Sequence, residues 1–244
     1  MKTNVRNYFF AAIAVMPFLL VSCEDGFFGS ISGEGELVQE TLYVDDFDGF
    51  VSTIAADVYV SQGEEFEVVV EAQQNIIDNI NTDWVRNGIW TIKYYHWVKR
   101  SKPVKIFITM PDLTKIGLSG SGEIFGETTF SDIDQLDLNI SGSGKIDLDA
   151  EAQDTYIRIS GSGDVYLTGY TDLLDCTVSG SGGIHAYGFI VQRADIGISG
   201  SGDARINVEE SLDVRISGSG SVFYRGKPVV DSHISGSGIV KRDQ

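Results

Sequence analysis

Seven stretches of the chain alternate apolar and polar residues with period two, and each runs directly into Ser-Gly-Ser-Gly. Examples are Leu136-Asp137-Leu138-Asn139-Ile140, Thr155-Tyr156-Ile157-Arg158-Ile159 and Leu174-Asp175-Cys176-Thr177-Val178. Period two is the spacing of a strand with one buried face. A shorter alternation follows the motif, as in Lys145-Ile146-Asp147-Leu148, and a turn of Gly or polar residues closes the unit. Helical spacing of apolar residues is absent.

The motifs begin at Ser119, Ser141, Ser160, Ser179, Ser199, Ser217 and Ser235, in steps of 22, 19, 19, 20, 18 and 18 residues. A unit this short cannot bury its own apolar face, so copies stack and each strand pairs with those above and below it. The pattern predicts an all-β fold: a right-handed single-stranded parallel β-helix of 18- to 22-residue repeats with an N-terminal β-rich capping region. Seven turns make a column roughly 30 Å long. Glycine at the corner lets the backbone bend without a Cβ clash. Other solenoids fit worse. The leucine-rich frame is missing, and the steps are not multiples of six. Only Asp164 and Asp203 follow the corner as a calcium-binding nonapeptide requires.

Ahead of the repeats, strand-like runs cover residues 37–44, 51–61, 66–72, 84–86, 89–98 and 104–110. Asn87-Gly88 predicts a hairpin turn, and residues 73–80 a short helix. The expected organisation is a leader at 1–22, a lipidated tether at 23–35, the N-terminal β-rich region at 36–110, the repeats at 111–240 and a tail at 241–244. The region 36–110 is expected to cap the first coil. The tail and Ser232, polar at a core position, are expected to mark the opposite cap.

Residues 1–22 hold Lys2, Arg6, an apolar run over 9–21 and no acid, which is the composition of a secretory leader. The run is short for a membrane span. Leu20-Val21-Ser22-Cys23 resembles a bacterial lipobox, with Cys23 as the lipidated first residue of the mature protein. More than one acyl chain gives stable anchoring. The formal net charge is −17, and loss of the leader leaves 16 basic against 35 acidic residues. That balance excludes a nucleic-acid partner, whose affinity comes from phosphate neutralisation. It also disfavours adsorption to anionic lipid, so the membrane is expected to be reached through Cys23. Glu24 and Asp25 resemble the acidic export signals of surface lipoproteins in Bacteroidota. An outer-membrane lipoprotein facing the cell surface, rather than the periplasm, is the expected location. Cys176 shares a column with Leu138, Ile157, Ile196 and Val214 and is expected in the core.

Three features occur together: Ser32-Gly33-Glu34-Gly35-Glu36, the entry Met110-Pro111-Asp112-Leu113-Thr114-Lys115 and the tandem Ser-Gly-Ser-Gly strands. Over residues 31–240 the chain resembles the head-GIN domain family of auto-transporter adhesin heads. The resemblance implies a right-handed β-helix on a secreted or anchored protein and no catalytic residues. Nothing after the repeats reads as a translocator barrel, so lipoprotein sorting is expected in place of self-export.

Asp137, Asp175, Asp195, Asp213 and Asp231 fall at one outward position, with Tyr156 in the second copy and Lys115 at the entry. They form a candidate cation or partner face. The competing reading is a solvated face that discourages sideways association, with Arg158 and Arg215 nearby in compensation. Repetition favours that second reading, because a catalytic site is a unique constellation. His96, His185 and His233 lack metal-ligand spacing, and the corner serines lack a nucleophile elbow. No catalytic residue, metal or cofactor is predicted. Between Trp90 and Arg100, alternation puts Lys93, Tyr95, Trp97 and Lys99 on one strand face, a candidate aromatic contact surface. The expected function is a non-catalytic binding or adhesion module with a glycan or protein ligand at the cell surface. The alternative is an extracellular glycan-acting lyase or hydrolase. The sequence sets no oligomeric state.

Overall fold

A computed structural model describes residues 29–244. The expected leader, the Cys23 lipidation site and the first part of the tether lie outside the described residues. In chain order the described elements begin with β1 (Ile31–Ser32), β2 (Leu37–Thr41), β3 (Gly49–Ser52), β4 (Asp57–Gln62), β5 (Glu67–Gln73) and α1 (Gln74–Ile77). They continue with β6 (Val85–Arg86), β7 (Ile89–Ile92), β8 (Val98–Arg100), β9 (Lys105–Met110) and β10 (Lys115–Gly120). Then come β11 (Glu123–Gly142), β12 (Lys145–Gly161), β13 (Asp164–Gly180), β14 (Gly183–Gly200), β15 (Asp203–Gly218), β16 (Ser221–Arg225), β17 (Val229–Gly236) and β18 (Ile239–Arg242).

The repeats form a β-solenoid of about seven turns with repeats about 19 residues long. Pairing is parallel and in register, so Ile116, Leu138, Ile157, Cys176, Ile196 and Val214 stack in one column. All are buried, Cys176 at 1% exposure. Burying each such side chain is worth roughly 1.5–3 kcal/mol against leaving it in water. Burial also pushes the Cys176 thiol well above its ordinary range.

The corner shows why glycine recurs. Gly161 has φ +134°, and a Cβ there would overlap the carbonyl oxygen of Gly142 one coil away. The close approach lets the Ser162 N–H donate to the Gly142 carbonyl at 2.8 Å, and the Asp164 N–H to the Gly144 carbonyl at 3.0 Å. The ladder therefore runs through the bend. The polar turn expected later in each unit does not break the strand: β12 runs unbroken for 17 residues. Extra residues are absorbed as irregularities in register, as between Tyr166 and Thr168.

The region expected as a cap supplies two coils before it caps anything. β3 pairs with β10, and β7 with β3, both parallel. β4 lies between β11 and β9. The coil of β7 and β9 is therefore outermost, although β10 follows it in sequence. Residues 111–114 carry the chain back across the β3–β4 coil, and the Thr114 N–H donates to the Asp48 carbonyl at 2.7 Å. β5 lies antiparallel on β9 and β2 antiparallel on β5, which closes this end together with α1. Asn87 and Gly88, both at positive φ, make the β6–β7 hairpin.

Further expectations need correction. The run 51–61 is not one strand, because residues 53–56 turn the corner between β3 and β4. The run 89–98 is not one strand either: β7 stops at Ile92. Buried Asn79 and Asn81 take over the backbone there. The Asn81 N–H donates to the Lys93 carbonyl at 2.8 Å, and the Asn79 carboxamide pairs with both backbone groups of His96 at 2.8 and 2.9 Å. At the other end, residues 241–244 do not fold over the stack. Asp243 is tied back to the preceding coils through the Tyr224 carbonyl and the Tyr187 hydroxyl. Ser232 and Ile234 of the last coil are exposed.

Candidate functional site

The in-register strands set the five predicted aspartates in one row. Asp137, Tyr156, Asp175, Asp195, Asp213 and Asp231 are successive pairing partners, and Lys115 precedes them. Parallel pairing spaces the carboxylates roughly 4.8 Å apart. Two residues further along each strand, on the same outward side, stand Asn139, Arg158, Thr177, Gly197 and Arg215. The Arg215 guanidinium donates to both oxygens of Asp195 at 3.0 and 3.2 Å and reaches Asp213 at 3.2 Å. The hydrogen bond to Asp195 and the charges of Asp195, Asp213 and Asp231 raise its pKa. Arg158 stands 3.7 Å from Asp137. The row is thus an acidic ladder bridged at intervals by arginine.

Beyond the arginine column lie the first serines of the motif, all exposed. The arginine and serine columns, without the aspartate row, floor two shallow grooves along the solenoid wall, of about 420 and 300 Å³, which meet at Thr177. The small side of Gly117 and Gly197 leaves them open, while Arg158 and Arg215 project into them. Asp137 also borders a separate depression of about 550 Å³ with Asp48, Asp112, Asp132 and Asp134. Among the described residues no group of three or more His, Cys, Asp or Glu side chains is placed to hold a metal ion.

The predicted aromatic surface is only partly assembled, because the strand that was to carry it ends at Ile92. Lys93 is half-buried, its ammonium 3.0 Å from the centre of the Trp84 ring, a cation–π contact. The Tyr95 hydroxyl turns away and donates to Asp83 at 2.8 Å, and that bond raises its pKa. Trp97 is 68% exposed. Lys93, Trp97 and Lys99 border a groove of about 540 Å³ at the closed end of the stack, shared with Tyr94, His96, Val98, Arg100 and residues 53–55. Burial pushes the Tyr94 hydroxyl up to about 12. Alternation assigned Tyr94 and His96 to the opposite face, and it left out Trp84 and Arg100. A charge count points to Arg100: between Asp83 and Asp112 the chain carries six Lys and Arg residues and no acid.

Residues 46–228 match the model of the family described as "Putative auto-transporter adhesin, head GIN domain". The crystal structure of a "putative adhesin" from Bacteroides fragilis is similar at 25% identity and a TM-score of 0.81, over 87% of this chain and all of that one. A "putative lipid binding protein" from Parabacteroides distasonis shares the fold at 21% identity and a TM-score of 0.75, over 88% of this chain and all of that one. So does a "putative adhesin" from Parabacteroides merdae, at 20% identity and 0.72 over the same shares. No curated protein matches the chain.

Proposed function

The chain belongs to the head GIN domain family, and from that premise we propose a non-catalytic binding module, held on the outer membrane by acyl chains on Cys23 and displayed outward. The wall groove carries this reading. Its serine column recurs at every coil, roughly every 4.8 Å, with the guanidiniums of Arg158 and Arg215 among the serines and the aspartate row alongside. Such a repeat suits an extended ligand with its own repeat, and a glycan chain is the ligand class that best fits closely spaced carboxylates, hydroxyls and guanidinium forks. A wall whose chemistry recurs with every coil supports retention of a polymer rather than one reacting centre.

The test is an array of polysaccharides and matrix proteins probed with the chain lacking its leader. Binding is expected, and Arg158→Ala with Arg215→Ala should weaken it at least about tenfold, since each removes a charged hydrogen-bond donor. No binding above background, with a working adhesin as control, overturns the reading. Protease shaving of intact cells should remove the protein; full protection overturns outward display.

A further inference from the structure

The basic, aromatic groove at the closed end is not needed by the wall, and its position relative to the tether suggests another role. β1 pairs with β8: the Ile31 N–H donates to the Trp97 carbonyl and the Gly33 N–H to the Arg100 carbonyl, each at 2.8 Å. Gly29 lies beside the His96 ring. The chain from Cys23 therefore enters the fold directly against Trp97. Only six peptide steps separate Cys23 from Gly29, a reach of roughly 20 Å at full extension.

The groove is a local basic spot on an acidic molecule: its lining holds Lys93, Lys99 and Arg100 and no acid. The acid-free run between Asp83 and Asp112 holds six of the 18 Lys and Arg residues of a chain whose net charge is −17. Lys102 and Lys105 pair with Glu36 and Glu71. Lys99 and Arg100 make no ion pair among the described residues and border the groove. Trp97, in the same lining, is 68% exposed, and Trp84, stacked under Lys93, is 43% exposed. Aromatic rings with a polar edge, next to unpaired cations, match the boundary between headgroups and acyl chains. Net charge argues against lipid adsorption of the surface as a whole, whereas this groove presents three cations and no carboxylate of its own.

We infer that this end face docks on the anionic headgroups of the membrane that anchors Cys23, with Trp97 in the interface and Lys99 and Arg100 on lipid phosphates, so that the acidic wall stands away from the bilayer. The inference rests on the acyl anchor. Tethering within about 20 Å keeps the face close to the surface, so a modest intrinsic affinity suffices.

The chain has three tryptophans, and Trp90 is buried, so lipid-borne quenching reads out Trp84 and Trp97. The lipidated protein is reconstituted in vesicles of phosphatidylethanolamine and phosphatidylglycerol carrying a headgroup spin label. Strong quenching is expected, mostly lost in Trp97→Phe. The docking equilibrium should fall roughly fivefold for each of Lys99→Ser and Arg100→Ser, with the melting temperature unchanged. Quenching at background, or quenching indifferent to those charges and to anionic lipid, overturns the inference. Loss of quenching with Trp97-dependent retention on an acidic polysaccharide also overturns it and reassigns the groove to glycans. Intact mass checks the anchor separately. If Cys23 carries no acyl chain, the same vesicles are added to the free chain. Trp97 quenching then upholds docking without the anchor, and its absence overturns docking.

Discussion

Two regions of this solenoid reach the same cross-section by different means. In the repeats, successive coils are neighbours in sequence, and Ile157 pairs with Cys176 nineteen residues on. In the N-terminal coils, neighbours are distant: Gly49 pairs with Lys115, sixty-six residues away, and β9 inserts between β4 and β5. The repeats are specified by a motif that applies to every coil. The N-terminal coils are held by single side chains, such as Gln62, whose carboxamide donates to the Pro111 and Ser131 carbonyls and accepts from the Ser131 N–H. A repeated device spreads the cost of any one change over many copies only when it is a side chain. When the device is backbone contact, each copy is indispensable.

That distinction sets the largest expected effect. Gly161→Ala places a Cβ at φ +134° against the Gly142 carbonyl, and two stacked backbones cannot part without breaking the ladder. Chemical denaturation should show a loss of about 4 kcal/mol or more. Gly197→Ala is the control. It lies in the same coil stack, where an added Cβ meets nothing nearer than the Cys176 carbonyl oxygen at 3.7 Å, and it should change stability by no more than about 1 kcal/mol, in the stabilising direction. Equal losses in the two variants would mean that the corner is not what sets the register.

The same contrast explains what was legible in the sequence. Period-two alternation and the fixed motif place Cys176 in the core and the aspartates in one row, because local pattern and global pairing coincide there. Asn87-Gly88 is legible for the same reason. The end of β7 at Ile92 is not, since residues 93–98 still alternate and the groups that divert them, Asn79 and Asn81, lie on another segment. Alternation therefore named Lys93, Trp97 and Lys99 but misplaced Tyr94 and His96 and left out Arg100. The stacking order of the N-terminal coils has no periodic signature, because the described residues hold only two such coils.

Asn79→Ala sharpens that point. Its amide satisfies the His96 N–H and carbonyl, and no neighbouring strand replaces it. Removing it should cost about 2 kcal/mol and raise amide exchange over residues 93–98 while leaving the repeats protected. Uniform loss of protection through both regions would show that they unfold as one unit and that the contrast is only geometric.

A smaller effect separates the regions by pH. The Tyr94 hydroxyl is pushed up to about 12 by burial, above its unfolded value of about 10. The neutral form is thus favoured in the fold. Its contribution is complete below about pH 10 and is lost as pH rises toward 12. At about pH 11 the loss is about 1.4 kcal/mol. Tyr94→Phe should lack this alkaline decline and match the parent chain at neutral pH. A decline of equal size in the variant would place the alkaline weakness elsewhere, in the repeats or their exposed tyrosines.

The smallest expected effect is on the acidic ladder. Arg215 is the most connected charge on the wall, bonded to Asp195 and Asp213, so its loss is the fairest test of whether ion pairs hold the repeats. It is exposed, and exposed pairs gain little over hydrated charges. Arg215→Gln should leave the melting temperature unchanged at physiological salt. A slight fall should appear only near 0.01 M salt, where the screening length grows to about 30 Å and the stacked carboxylates feel one another. The backbone ladder through the glycine corners carries the register, and the side-chain columns ride on it. A salt-independent loss approaching that of Gly161→Ala would reverse this order, making the aspartate row a structural element rather than a surface free to meet a ligand.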